Sequence, residues 1–304
     1  MSERITTNMI IGSTLADINA AQTTMTRSQE ELASGKSILE PSDNPYGASQ
    51  AITLQSSIDG LTAYEHGAQD GVSWLNTSSS ALSSIASQAQ RVRELVLQGA
   101  SGINSPNDME DIAEEVEQLT EGVKQDADTQ YAGQYVFSGT LTGTVPYKPG
   151  AEDAYQGNAG TISRALGPGS SVNVAVNLAS VLGSGEAAAD GKLLDTLRTI
   201  AKNLREGTPA AVETLRTTDL HALDTNLNAL TGLQAEAGAV TDQLQLALSR
   251  ISSLQDAATT QLANVQDANI AQVSIEFSNQ HAAFEAALRA GASIVQESLL
   301  EFLH

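Results

Sequence analysis

The side chains able to do chemistry are few and widely spaced in this chain. His281 and Glu285 stand four residues apart, as do His66 and Asp70, a spacing at which two helical side chains can share one metal ion. Zinc sites need three or four protein ligands, and neither pair has a third nearby in sequence, so both read as polar helix faces. Ser138-Gly139 and Ser184-Gly185 lack the flanking pattern of a nucleophile elbow, and no Ser-His-Asp set follows from spacing. Glycines 139, 143, 150, 157 and 160 match no phosphate loop and read as turns between short strands. The chain contains no cysteine, which excludes disulfides, thiolate catalysis and thiol metal sites. Asp43 and Asp108 sit in helix-cap regions, and Trp74 lies beside an apolar stripe. Asn76-Thr77-Ser78 is a chance sequon inside a helical stretch. No catalytic, cofactor or metal site is expected, and the chain does not read as an enzyme.

The totals narrow the partners. The 304 residues exceed one ordinary domain. A net charge of −21, with only 15 lysines and arginines, repels phosphate backbones and argues against nucleic-acid binding. Aromatics make up 4%, too few for one large globular core, whereas alanine, serine, glutamine and leucine suit long helices. No apolar run approaches a membrane span, and no basic start followed by an apolar run suggests a cleaved signal. The expectation is a soluble protein that does not insert in membranes, cytoplasmic or exported by a route that reads no such signal.

The elements repeat one device. Asn44-Pro45, Ser105-Pro106 and Thr208-Pro209 each place a capping side chain before a proline at the first helical position. Each heads a stripe of apolar residues spaced by three and four. The first runs about fifty residues from Leu54 to Val96 and stops at Gly99 and Gly102. The second runs from Met109 to about Tyr131. The third runs from Val212 through Ile251 into the last helix. Between them, glycine-rich sequence carries strand-like runs at 134–137, 144–147, 161–163 and 171–176, and a short helix is expected at 192–204. The predicted class is mainly α. A long coiled-coil helical rod is built from N- and C-terminal segments, with a small β-containing domain inserted mid-sequence. The predicted divisions are an N-terminal helix at 1–44, rod at 45–137, insert at 138–191, rod again at 192–261, and a C-terminal helix at 262–304.

The two ends carry the functional signal. Ile11, Leu15, Ile18, Met25 and Leu32 form one apolar stripe, with Gln22 and Gln29 as polar seam positions. Val273, Phe277, Phe284, Leu288, Val295 and Phe302 form another, along a single helix expected from Leu262 to Leu303, with Ile270 and Leu299 in line. One-sided burial returns less than the entropy of ordering so long a backbone. Both ends are therefore expected to fold fully only against neighbouring copies, and these stripes are the candidate assembly interface.

The residues that carry this reading also carry a resemblance. Arg4-Ile5-Thr6-Thr7-Asn8-Met9, Leu32-Ala33-Ser34-Gly35-Lys36 and Pro41-Ser42-Asp43-Asn44-Pro45 resemble the N-terminal signature of the flagellin superfamily. The segment Gln280 to Leu303 resembles its C-terminal helix. Gly133-Gln134-Tyr135-Val136-Phe137-Ser138-Gly139-Thr140, Tyr155-Gln156-Gly157 and the terminal Ser298-Leu299-Leu300-Glu301-Phe302-Leu303 are most similar to the type 3 hook-associated branch. Asn44 stands where aspartate is common, and Ala268-Asn269 where an acidic pair is usual. The resemblance implies export through the flagellar type III channel and a ring of identical subunits at the hook–filament junction. It implies the other junction protein, flagellin and an export chaperone as partners. Two alternatives stay open, a flagellin filament subunit and a helical secreted effector or translocator of a related export system.

Overall fold

A computed structural model of the chain describes residues 2–102, 104–150 and 153–302, with side chains for residue 9 and, within those spans, for 11–293 apart from Ala187. Helices dominate: α1 Ser2–Ser34, α2 Pro45–Gly99, α3 Pro106–Ala127, α4 Ala179–Leu182, α5 Leu193–Glu206, α6 Pro209–Thr214, α7 Leu220–Gln266 and α8 Ile270–Phe302. The chain divides into two compact units. The terminal unit holds residues 1–60 and 254–304, and the central unit holds 61–253, so the divisions fall within α2 and α7.

The starts follow the local chemistry. The Asn44 side chain accepts a hydrogen bond from the Gly47 N–H at 3.0 Å. Ser105 and Asp108 form a reciprocal capping box, with Pro106 opening α3. Thr208 accepts from the Ala211 N–H at 3.2 Å ahead of Pro209. Helix α1 stops where Gly35 adopts φ +71°, a left-handed conformation that glycine takes without strain.

Three expectations are corrected. The stripe from Val212 is not one helix. A π turn at Leu215–Asp219 inserts an extra residue, with Asp219 buried against the Asn203 amide at 2.6 Å and Arg216 Nε donating to the Ala100 carbonyl at 2.6 Å. The last helix does not run unbroken from Leu262. It breaks at residues 267–269, where Asn269 restarts it by accepting from the Gln272 N–H at 3.3 Å. The β content is smaller than the strand-like runs suggested. Among the described residues there are two hairpins, β1 Gln130–Tyr131 with β2 Gln134–Tyr135, and β3 Ser163–Gly167 with β4 Ser170–Asn173, and no strand at 144–147.

The central unit closes a core. Trp74, Leu75, Leu82, Ile85 and Leu95 of α2 are buried in one cluster with Val116 and Val123 of α3, Leu193, Leu197 and Ile200 of α5, and Leu223, Leu230 and Leu244 of α7. Trp74 meets the Tyr131 ring edge-on at 6.1 Å, so packing is its role. The loop before β3 is tied down by buried hydroxyls. Tyr147 Oη donates to the Gly183 carbonyl and Tyr155 Oη to the Phe137 carbonyl, both at 2.7 Å. Asp153, fully buried, is met by Arg198 and by Lys124, so the buried carboxylate has cationic partners.

Candidate assembly interface

In the terminal unit α1 and α8 pack along one another. Their direction follows from three points. Ser28 Oγ donates to Gln280 Oε1 at 2.7 Å, Lys36 forms an antiparallel bridge with Asp267, and a Cβ built on Gly291 would lie 3.1 Å from Ile18 Cδ1. Residue numbers rise on one helix as they fall on the other, so the pair is antiparallel. At the closed end the Ser37 N–H donates to the Gln266 carbonyl at 2.7 Å, and the Ala268 N–H to the Gly35 carbonyl at 2.9 Å.

Burial recurs on α1 at Ile11, Thr14, Ile18, Ala21, Met25, Ser28 and Leu32, and on α8 at Val273, Phe277, Gln280, Phe284, Ala287 and Gly291. Both series step by three and four, the seam of a two-helix coiled coil. Counting out from the Ser28–Gln280 and Ile18–Gly291 contacts, an antiparallel register levels Leu32 with Phe277, Met25 with Phe284 and Ala21 with Ala287. Leu32 and Met25 face phenylalanines, Ala21 and Ala287 make a small layer, and Ile18 fills the space left by Gly291.

The structure therefore sorts the candidate residues. Ile11, Ile18, Met25, Leu32, Phe277 and Phe284 are half-buried along the seam within one chain, and Val273 is buried. Leu15 and Leu288 lie outside it, 57% and 45% exposed. Val295 and Phe302 lie outside the described side chains. The expected polar seam positions, Gln22 and Gln29, are exposed; the polar seam residue is Ser28, one step away. The reason is the period. A true 3.5-residue repeat from Ile11 passes through Thr14 and Ala21, whose small side chains carry little hydrophobic signal.

Sequence reasoning also missed part of the exposed apolar surface. Met9 is 70% exposed, Ile275 64% and Ile52 67%, with Tyr46, Leu254 and Ile270 also open. Apart from Ile270, which lies in line with the C-terminal stripe, these residues fall off the stripes, and only burial geometry reveals them. Near the start of α2, Ser49, Gln50, Thr53 and Leu54 line a cavity of about 450 Å³ with Gln261, Asn264 and Val265 of α7.

Electrostatics here hold geometry. Arg27 reaches Glu31 at 3.1 Å and Asp43 at 2.9 Å. Asp43 also accepts from the Glu40 and Leu39 N–H groups, which, with Arg27, hold its carboxyl below the usual range. His281 and Glu285 stand 3.7 Å apart on an exposed face, and Asp70 is taken by Arg164 at 2.7 Å. Among the described residues no group of three or more His, Asp or Glu side chains converges. No described helix is long and apolar enough to cross a membrane.

The bacterial flagellin N-terminal helical region, as a family, matches residues 5–142. A flagellin of Escherichia coli O127:H6 is 33% identical over 189 residues, 62% of this chain and 33% of that protein. The flagellin of Escherichia coli K12 is 35% identical over 154 residues, 50% of this chain and 30% of that one. The chain thus spans about a third of the length of the curated relatives it matches. A solved flagellar hook-associated protein of Vibrio parahaemolyticus aligns over 74% of this chain and 100% of its own, with TM-score 0.66 and 18% identity. Hook-associated protein-3 of Legionella pneumophila aligns over 70% and 98%, with TM-score 0.62 and 16% identity. The N-terminal part of the chain, residues 5–142, is thus similar to the flagellin N-terminal helical region, and the chain has the fold of the flagellar hook-associated proteins.

Proposed function

We propose that this chain is a structural subunit of the bacterial flagellum, placed at the hook–filament junction as a ring of identical copies outside the cell. The observation that carries the proposal is the split within the terminal unit. Its seam residues close on one another, while Met9, Leu15, Ile275 and Leu288 remain uncovered. Apolar area of that kind on two long helices is covered by packing against another copy. In this reading residues 1–44 and 262–304 are the assembly segments, 45–137 and 192–261 carry the rod, and 138–191 form the insert. The chain performs no catalysis. Its partners are further copies, the companion junction protein, flagellin and, before assembly, an export chaperone.

Specific labelling of the protein on intact flagella tests this. A mark confined to the boundary of hook and filament supports a junction ring. Marks along the whole filament would instead make the chain a bulk filament subunit, like the flagellins it matches in part. Leakage of liposomes by the purified protein would favour a membrane-active effector and count against both.

A further inference from the structure

The α1–α8 seam has one layer unlike the rest. Ser28 is 4% exposed and its hydroxyl donates to Gln280 Oε1 at 2.7 Å, between the Leu32–Phe277 and Met25–Phe284 layers. Buried polar pairs in coiled coils cost stability relative to apolar ones, and their best attested use is to specify register and partner. The neighbouring layers cannot do this. Leucine, methionine and phenylalanine pack acceptably after a shift by one layer, because volume and apolarity are all they require. Such a shift would bring Ser28 against Phe277 or Phe284, and Gln280 against Met25 or Leu32. The buried Ser28 hydroxyl would then lose its partner and the half-buried Gln280 amide would face an apolar side chain, disfavouring the slipped pairing by on the order of tenfold or more.

We propose that Ser28 and Gln280 are the positioning residues of the terminal unit. They select the antiparallel in-register pairing of α1 with α8 against slipped pairings. Changing the register rotates and translates the outer rows, so this pair sets where Leu15 and Ile275 stand on the outer surface. That consequence for assembly rests on the junction reading, whereas the selection of register does not.

The absence of cysteine makes the test direct. The pair Ala21→Cys/Ala287→Cys reports the observed register, and Met25→Cys/Ala287→Cys reports a slip of one layer. In dilute purified protein with the seam otherwise unaltered, oxidation is expected to close the first pair within one chain, with the second yielding less than about a tenth as much. In a Ser28→Ala/Gln280→Leu background the two yields are expected to become comparable. The thermal midpoint should be unchanged or higher, because an apolar layer replaces a polar one. Ser28→Thr, which keeps the hydroxyl, should restore exclusivity. Exclusivity retained in the Ala/Leu background overturns the proposal and leaves the register to the Lys36–Asp267 bridge and the Ile18–Gly291 fit. A lowered midpoint with the register kept overturns it too, making the bond a simple stabiliser. Incorporation of the same variants into flagella is scored separately, so a failed junction reading leaves the cross-linking result standing.

Discussion

The two units of this molecule are built from the same palette and differ in whether their helices close on each other. The central unit buries the faces of α2, α3, α5 and α7 in one continuous core. In the terminal unit Ile38, Ala48 and Val273 are the buried apolar side chains among the described residues, and eight of the eleven large exposed apolar residues lie there. A two-helix pair has one shared seam and two outer surfaces, so it cannot close a core alone. The contrast separates the part that is a finished domain from the part whose outer apolar rows stay uncovered in the single chain.

The largest way to break the comparison is to cut into each seam equally. Leu197→Ala, at a fully buried site on α5, is expected to cost about 3 to 5 kcal/mol in denaturant unfolding of the central unit. Ile18→Ala, at the equivalent kind of position in a half-buried seam, is expected to cost about 1 kcal/mol or less. Equal costs would mean that the terminal unit has a closed core after all.

Phe284→Asp places a carboxylate level with Met25 inside the terminal seam. It is expected to destabilise the helix pair by about 2 to 3 kcal/mol and abolish incorporation into flagella, leaving secretion and the central unit's midpoint unchanged. Leu288→Asp acts on the outer surface only. Its expected cost to the isolated chain is within about 0.5 kcal/mol, with incorporation still lost. Normal filaments on a strain carrying Leu288→Asp would remove the outer row from the interface. Amide exchange sharpens the same point: residues 61–253 should be protected far more strongly than 2–34 and 270–302 in dilute protein.

Smaller, and confined to the central unit, is an effect of Asp128. Burial pushes its carboxyl up to about 6, against the lowering influence of the Tyr147 N–H and Lys124. The folded state therefore holds this proton more tightly than the unfolded chain. The stability it gives is full below about pH 4 and is lost as pH rises through about 6. Asp128→Asn keeps an acceptor for Tyr147 and should exceed the parent by about 1 kcal/mol at pH 7.5, allowing for solvent screening, with no advantage at pH 4. A constant difference between the two proteins across that range would remove the titration from the account.

How much of this was legible follows the range of the forces involved. The starts at Asn44-Pro45, Ser105-Pro106 and Thr208-Pro209 could be read because a cap is satisfied within four residues. The break at 267–269 could not. Its hydrogen bonds run to Gly35 and Ser37, some 230 positions away, and Ala268 and Asn269 alone do not stop a helix. The hairpins were placed only roughly, since strands of two to five residues carry too little alternation to read. For the interface, the large apolar residues of the seam were legible by size. Thr14, Ser28, Ala287 and Gly291 were not, because their contribution is space or one hydrogen bond rather than hydrophobicity.

The smallest expected effect probes what the terminal unit holds without burial. Asp43 caps the turn after α1 through the Leu39 and Glu40 N–H groups and receives Arg27, all near the surface. Its folded carboxyl is held below the ordinary value of 3.8, so the turn's stabilisation is present above that pH and is lost as pH falls through the lower, folded value. Asp43→Ala should leave the global midpoint unchanged while speeding exchange of the Leu39 and Glu40 amides at pH 6. The parent's advantage should vanish once its own carboxyl is protonated. Persistence of that protection in acid would mean the turn is held by packing, and this stretch would then resemble the central unit.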